Sequence, residues 1–207
     1  MTDKTYLENL RNPTQKDPLR VLMSACLAGV ECGYDATANG TYPSALKLLT
    51  YDNVKITRFC PEEFSFGVPR EMCDIHGGTG LDVLKGRAKV LSDSGEDWSK
   101  GMINASLKML EIAKQEKIEI AVMMDVSAAC GSQVIYNDNR FSANKKYQIG
   151  MGVCAAQLHK NDFKIISQRD FASLELLYAK VDPQHKIDEE KLDHHEIEWY
   201  KTYFGKN

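Results

Sequence analysis

The sequence lacks any apolar segment long enough to cross a membrane and has no strong charge of either sign. Its apolar runs fall well short of the roughly 20 residues that a spanning helix needs. Lys and Arg number 26 and Asp and Glu 29, so the net charge of −3 gives no general attraction to nucleic acid or an anionic membrane. Residues 1–18 are polar and of mixed charge, unlike a signal peptide. We therefore expect a cytoplasmic protein with no membrane partner.

The six cysteines include no closely spaced pair of the kind that structural zinc sites use. Such sites draw ligands from C-x2–4-C pairs, whereas the cysteines here stand at positions 26, 32, 60, 73, 130 and 154. In a reducing compartment an unpaired cysteine is a core residue, a metal ligand or a nucleophile. These thiols are therefore candidates for packing or for chemistry rather than for a disulfide framework.

Apolar segments alternate with segments of helical periodicity along most of the chain. Strands are predicted at "LRVLMSA", "NVKITRF", "IEIAVMMDVSAAC" and "FKIIS". The clearest helix follows Trp98, because apolar residues recur there every three or four positions as far as Ile112. This alternation predicts an α/β fold, a Rossmann-like open and mostly parallel sheet flanked by helices.

Two predicted hairpins lie between the strands and helices of this pattern. Residues 61–92 are rich in proline and glycine, which favours loops and a hairpin over helix, with the hairpin in "GLDVLKGRAKVLSD". A second hairpin is predicted in "VIYNDNRFS", with its turn at Asn137–Asn139. We expect an N-terminal arm over residues 1–19, the α/β domain over residues 20–170 and a helical C-terminal extension over residues 171–207.

The extension carries two histidines and several aromatic side chains. His194 and His195 in "DHHEIE" favour a solvated helix face over a site for adventitious metal. The aromatic residues that follow, Trp199, Tyr200, Tyr203 and Phe204, predict a surface that packs on the domain or on a second subunit, so a homodimer is possible.

Three cysteines follow the carboxyl ends of three predicted strands. Cys26 follows the first strand, Cys60 the second and Cys130 the third, each beside proline, glycine or other small residues. In open α/β sheets ligands bind outside the carboxyl ends of the strands. If these strands are neighbours, the three thiols converge at one edge of the sheet.

Such thiols have three interpretations. Cysteine is among the residue types most often buried, so each thiol alone is consistent with simple packing. Thiolates are soft ligands that suit zinc or iron–sulfur clusters, and single ligands from three loops favour a cluster over zinc. Cys32 is interpreted as a bystander in preference to a fourth ligand. Cys73 gives only weak evidence for zinc with His76, and Cys154 is predicted to pack in the core.

Polar residues next to these cysteines are candidates for proton transfer. Glu62 follows "CP" directly and is predicted to lie close to Cys60, where it could act as a general acid or base. Glu63 is interpreted as a solvated loop residue. Ser127, three residues before Cys130, is predicted to orient a substrate or to bond within its own turn. Asp125 and Arg70 are predicted to pair with substrate or with each other.

Four motifs of this chain resemble the thiouracil desulfidase family, formerly a domain of unknown function. The family patterns are "VSACLxGxxCRYDG", "CPExxxGLxxPR", "GGxGxDVLxGxARV" and "SPSCGSxxIYDGxFSGxxxxGxGVxAxLL". They stand here as "MSACLAGVECGYD", "CPEEFSFGVPR", "GGTGLDVLKGRAKV" and "SAACGSQVIYNDNRFSANKKYQIGMGVCAAQL". They occur in the same order over roughly residues 20–170. The chain is therefore similar to this family over most of its length.

The resemblance implies a cofactor, a reaction and a set of site residues. Family members hold a 4Fe-4S cluster with three cysteines and one open iron, and they replace the sulfur of a thiolated pyrimidine by oxygen without redox chemistry. Matched by motif, the ligands are Cys26, Cys60 and Cys130, with zinc as the alternative metal. Glu62 and Ser127 are placed as the catalytic residues. Tyr34 and Arg70 are further candidates for contact with substrate.

The chain departs from the family around the third ligand and after the first. "SPSCG" has become "SAACG", the lysine common before it is Met124, and Gly33 stands where arginine is common. All three predicted ligands are kept, so the resemblance supports the cluster more strongly than it supports thiouracil as the substrate.

These expectations give two main hypotheses of different classes, and the altered loops leave open a third, sulfur transfer or insertion on another substrate. The first is an iron–sulfur-dependent desulfidase that releases sulfide from a small thiolated heterocycle. A thiolated tRNA is a less favoured substrate, because the sequence offers few clustered basic residues. The second is a metal-binding or cluster-binding structural or sensor module without turnover.

Overall fold

The structure, a computed structural model, describes residues 4–38, 40 and 42–205. The first three residues of the predicted arm and the last two of the predicted extension lie outside the described residues, as do Asn39 and Thr41. Within the described ranges, no helix has the length and apolar character needed to cross a membrane.

Strands and helices follow one another as the sequence pattern predicts. In chain order the strands are β1 (Leu19–Ser24), β2 (Val54–Phe59), β3 (Cys73–His76), β4 (Lys89–Ser92), β5 (Ile120–Met123), β6 (Val134–Asn137), β7 (Lys146–Ile149) and β8 (Ile165–Ser167). The α-helices are α1 (Lys4–Glu8), α2 (Pro43–Lys47), α3 (Pro61–Phe66), α4 (Gly80–Leu84), α5 (Ser99–Gln115), α6 (Val153–His159), α7 (Phe171–Val181) and α8 (Glu198–Phe204).

A parallel sheet in the order β2-β1-β5-β8 forms the centre of the molecule. The four predicted strands are its members, so the predicted α/β fold with a parallel sheet is confirmed. Side chains of a strand alternate between faces: Leu22 packs into one apolar cluster with α5 and α6, whereas Val21 and Met23 pack into another with α1, α2 and α7. Burial on both faces explains why these strands are apolar throughout.

The prediction of loops and a hairpin over residues 61–92 is wrong in two places. Helix α3 begins here because Cys60 accepts a hydrogen bond from the Glu63 N–H and Pro61 occupies the first helical position. Helix α4 begins at a capping box formed by Thr79 and Asp82. The strand that pairs with β4 is therefore β3, not the segment before "KG".

The second hairpin exists, but its partner strand differs from the prediction. Strand β6 pairs with β7 in antiparallel register, and residues 138–145 connect them. The predicted turn at Asn137–Asn139 thus marks the end of β6 rather than the whole connection. Arg140, within this connection, turns inward to an ion pair with Asp74, and this contact holds the long loop against β3.

The N-terminal arm and the C-terminal extension pack against each other. Leu7 of α1 is buried with Leu174 and Leu177 of α7. The Lys4 Nζ atom lies 3.1 Å from a Glu196 carboxylate oxygen. Together, the two segments therefore cover the face of the sheet opposite to the one that α5 and α6 cover.

The close approach of Gly80 to α6 gives a prediction about stability. A Cβ atom added at Gly80 would lie 2.4 Å from the backbone carbonyl of Gly152, so one of the two segments must move. We expect Gly80→Ala to lower the free energy of unfolding by about 1–3 kcal/mol, as overpacking does. Urea denaturation followed by circular dichroism measures this change.

The matched control is Gly101→Ala in α5. There the added Cβ would meet a side chain, the edge of the Phe66 ring, rather than backbone, and alanine favours the helix by about 1 kcal/mol. Equal stability losses in the two variants would contradict the importance of the Gly80–Gly152 contact.

Candidate metal centre

A cavity of about 290 Å³ lies at the carboxyl ends of β1, β2 and β5. Its wall contains sulfur atoms from several parts of the chain: Cys26, Cys32, Cys60, Met72, Cys73, Met124 and Cys130. The predicted convergence of Cys26, Cys60 and Cys130 is observed, because the strands that precede them are adjacent in the sheet.

The first two predicted ligands sit at the starts of short helical segments. Cys26 belongs to a 3₁₀ turn over Ala25–Ala28, which ends at Gly29 in the left-handed conformation with φ +78°. Cys60 is the N-cap of α3, and the Glu63 N–H points at its Sγ atom at 3.4 Å. The helix N-terminus and this N–H favour negative charge at Cys60, but the neighbouring Cys32 thiol and burial outweigh them in the protein alone.

The loop after β5 carries the third predicted ligand. The Ser127 Oγ atom accepts hydrogen bonds from the N–H groups of Ala129 and Cys130. Val126 adopts φ +60°, a conformation that is strained for a β-branched residue and that persists where the surroundings enforce it. A turn of unusual shape therefore directs Cys130 into the cavity.

Cys32, interpreted from the sequence as a bystander in preference to a fourth ligand, lies with the other thiols of the cavity. It is 1% exposed and lines the same cavity, with its Sγ atom within 4.8 Å of the Cys60 Sγ atom. The left-handed Gly29 turns the chain back toward the sheet, so Cys32 lies beside Cys26 despite the six-residue separation. Gly29 and Gly33 were the sequence signals for such a turn.

Glu62 lies between two predicted site residues. Its Oε2 atom accepts a hydrogen bond from Arg70 Nη2 at 3.0 Å, and its Oε1 atom lies 3.3 Å from Ser127 Oγ. Arg70 also donates to the carbonyl oxygens of Cys32 and Gly67. The structure thus brings together Glu62, Ser127 and Arg70, and each oxygen of the carboxylate has its own partner.

Two tyrosines and a second arginine complete the polar part of the wall. Tyr34 and Tyr42 line the cavity, and the Tyr34 carbonyl oxygen accepts a hydrogen bond from the Arg70 N–H. Arg140 reaches the wall from the loop between β6 and β7, with its guanidinium bound to Asp74. Arg140 was missed in the sequence, because its partner Asp74 lies 66 residues away.

Asp125 does not pair with Arg70, contrary to one of the two expectations for it. It bonds to His194 of the extension, with 2.8 Å between Asp125 Oδ2 and His194 Nδ1. Burial raises the pKa of Asp125, but the hydrogen bonds from His194 and the backbone outweigh it and hold that pKa below its usual value. His194 is fully buried, so the prediction of a solvated helix face is wrong for it.

A model of the family described as 2-thiouracil desulfurase matches residues 21–170 of the chain. The chain belongs to the 2-thiouracil desulfurase family. The match spans all three predicted cysteine ligands together with Glu62 and Ser127, and it ends where α7 begins.

A relative and a solved structure resemble the chain. An uncharacterized protein of Bacillus subtilis (strain 168), YbbK, is 38% identical over 152 residues, which cover 72% of this chain and 96% of YbbK. The structure of a 4Fe-4S-dependent thiouracil desulfidase, TudS, superposes with a TM-score of 0.61 at 24% identity, over 78% of this chain and 98% of TudS. The second likeness shows that this member of the 2-thiouracil desulfurase family shares the fold of TudS.

The thiols in the cavity fit an iron–sulfur group. Sulfur ligands are soft and suit zinc, copper(I) or iron–sulfur clusters rather than magnesium or calcium. A hydrogen bond with Cys26, together with burial, raises the pKa of Cys32 to about 12, although Cys60 acts in the opposite direction. The pKa values of Cys60 and Cys130 are raised too, Cys60 by its bond with Cys32 and by burial, Cys130 by burial.

In the protein without a bound metal, the thiols of Cys32, Cys60 and Cys130 therefore resist ionisation. A positively charged metal group in the cavity would reverse this, because thiols lose their protons when they bind a metal. The donor set thus suits a group of the 4Fe-4S type on which TudS depends.

Proposed function

We propose that the chain is an iron–sulfur-dependent desulfidase that replaces the sulfur of a small thiolated pyrimidine by oxygen. The observation that carries the proposal is the convergence of Cys26, Cys60 and Cys130 on one cavity beside Glu62. In balanced form, a thiocarbonyl compound and water give a carbonyl compound and hydrogen sulfide. No electrons are exchanged in this reaction.

Cys26, Cys60 and Cys130 would hold a 4Fe-4S cluster. Three protein ligands would leave one iron open, and the group would then supply a Lewis acid for the sulfur of a substrate. The three cysteines lie on separate turns that the sheet fixes, so the protein determines where a substrate sulfur can bind.

Glu62 would transfer protons in this reaction. Arg70 contacts one carboxylate oxygen and Ser127 the other, which fixes the orientation of the carboxylate toward the cavity. A carboxylate in this position can take a proton from water as the water attacks the ring carbon. It can then return that proton to the departing sulfur.

The size and lining of the cavity favour a single heterocyclic ring as the substrate. The cavity of about 290 Å³ would hold both the cluster and the substrate, so it leaves room only for a small substrate. Tyr34 and Tyr42 offer aromatic surface, and Arg70 offers a donor, because its Nε atom is buried and has no hydrogen-bond partner within the described part of the chain. A carbonyl oxygen of a pyrimidine ring is a suitable acceptor for this donor.

The direct test is anaerobic reconstitution with iron and sulfide, followed by incubation with 2-thiouracil. We expect roughly four irons per chain, and uracil and sulfide in equal amounts. Treatment with an iron chelator should remove the iron and abolish turnover, and reconstitution should restore both. A chain that binds iron but gives no uracil from 2-thiouracil or 4-thiouracil would contradict the proposal.

A second candidate function is a thiol-bound metal site without turnover. Cys32, Cys60 and Glu63 bring ligand atoms within 4.8 Å of one another, a spacing that suits one thiophilic ion such as zinc. Metal analysis separates the two functions: one zinc per chain, lost in Cys32→Ser, with no turnover after iron reconstitution, would favour the metal-binding module.

A further inference from the structure

The loop after β5 depends on Asp125 for its shape. Asp125 Oδ1 accepts hydrogen bonds from the N–H groups of Ser132, Gln133 and Val134, at 3.0 to 3.3 Å. One carboxylate oxygen therefore ties the start of the loop to its end. Ser127 and Cys130 lie in the segment that this contact closes.

The conformation of the loop requires such a constraint. Val126, next to Asp125, adopts φ +60°, and its N–H donates to the Val134 carbonyl oxygen. A β-branched residue in this region is strained and relaxes unless neighbouring contacts hold it. The position of Ser127, one residue further on, depends on the same contacts.

His194 binds the other oxygen of Asp125. A carboxylate can only accept, so the Nδ1 atom of His194 is the donor in this 2.8 Å contact. Both side chains are 0% exposed, so water cannot replace the lost partner if one of them is removed. Asp125 is thus bound by the loop on one side and by the extension on the other.

The extension fixes His194 in turn. The backbone N–H of His194 donates to Asp170 Oδ1. Asp170 also accepts a hydrogen bond from the Gln133 side chain. The Trp199 ring of α8 stacks on the His194 ring, with 5.6 Å between centroids and 5° between planes. Tyr200 packs edge-on against the same ring.

We propose that His194 is a positioning residue, which sets the loop with Ser127 and Cys130 through its hydrogen bond to Asp125. His194 lies outside the region that matches the family, which ends at residue 170. The extension would thus have a function in the reaction as well as in packing. The kinetic part of this proposal rests on the proposed desulfidase activity, whereas the contact itself can be tested without it.

The test compares His194→Ala with His194→Asn in the full chain. Asparagine can place an N–H near the position of Nδ1, whereas alanine cannot. For His194→Ala we expect kcat with 2-thiouracil to fall by about 10–100-fold with KM unchanged, as for other residues that orient a metal centre from outside. His194→Asn should recover most of this loss.

The control is His185→Ala, because His185 is a largely buried histidine of the same extension that pairs with Glu175, away from the loop. It should lower the melting temperature and leave kcat unchanged. A wild-type kcat in His194→Ala, measured below its melting temperature, would overturn the proposal.

Hydrogen exchange gives a readout that needs no activity. In the apoprotein, the amides of residues 132–134 should exchange at least about tenfold faster in His194→Ala than in His185→Ala, because local opening is easier. Unchanged exchange would overturn the proposal even if the chain proved to have another activity. If His194→Ala does not fold, His194→Asn is compared with His194→Gln. The glutamine side chain is one methylene longer, so its N–H lies away from the position of the His194 Nδ1 atom. Equal kcat values in those two variants would also overturn it.

Discussion

Cys60→Ser is expected to abolish both iron binding and turnover while the fold persists. Serine is a good N-cap residue, so α3 should still begin at position 60. The hydroxyl is a poor ligand for iron in comparison with a thiolate. We expect the iron content to fall from roughly four per chain to near zero. Loss of Lewis-acid stabilisation worth several kcal/mol corresponds to a rate decrease of order 10³-fold.

The matched control for this prediction is Cys154→Ala. Cys154 is a fully buried thiol of α6 that does not line the cavity in the described part of the chain. Its replacement should leave the iron content unchanged. Full iron content in Cys60→Ser would contradict the assignment of Cys60 as a ligand.

Cys32→Ser extends this comparison to the fourth thiol of the cavity. If three cysteines suffice, Cys32→Ser keeps its iron. If it loses iron as Cys60→Ser does, Cys32 is a ligand rather than a bystander.

Glu62→Gln is expected to retain the cluster and lose most of the turnover. Glutamine has nearly the same shape and can still bond to Ser127, but it cannot take a proton from water. Loss of general acid–base catalysis typically lowers kcat by about 10²–10⁴-fold. Iron analysis and steady-state kinetics on the same anaerobic preparation check both parts of this prediction.

Glu63→Gln is the natural comparison for Glu62→Gln. The two glutamates are adjacent on α3, but Glu63 is exposed and contributes its backbone N–H to Cys60. We expect the kcat of Glu63→Gln to stay close to that of the unmodified chain. Equal losses in the two variants would indicate a general effect of charge near the cavity rather than proton transfer by Glu62.

The parts of the fold that the sequence predicted are those set by local patterns. Apolar runs of strand length identified β1, β2 and β5, and the topology of parallel sheets then placed Cys26, Cys60 and Cys130 at one edge. The missed helix α3 shows where such patterns fail. Proline after Cys60 is consistent with a loop, but proline is also favoured at the first helical position.

The parts that the sequence missed depend on contacts between distant segments. Asp125 and His194 are 69 residues apart, and no spacing rule links a carboxylate after a strand to a histidine in a tail. The same holds for Arg140 and Asp74. The left-handed turn that returns Cys32 to the cavity is only partly predictable from the sequence. Gly29 indicates a turn there but does not give its direction.

The sulfur-rich wall of the cavity has a consequence for handling the protein. Five thiols and the thioethers of Met72 and Met124 surround one small space. Thiolates oxidise stepwise to sulfenic and sulfinic acids, and methionine oxidises to a polar sulfoxide. Oxidation that reaches this pocket would therefore damage its protein walls as well as any cluster within it. Restoring iron and sulfide afterwards would not repair sulfinic acids or methionine sulfoxides.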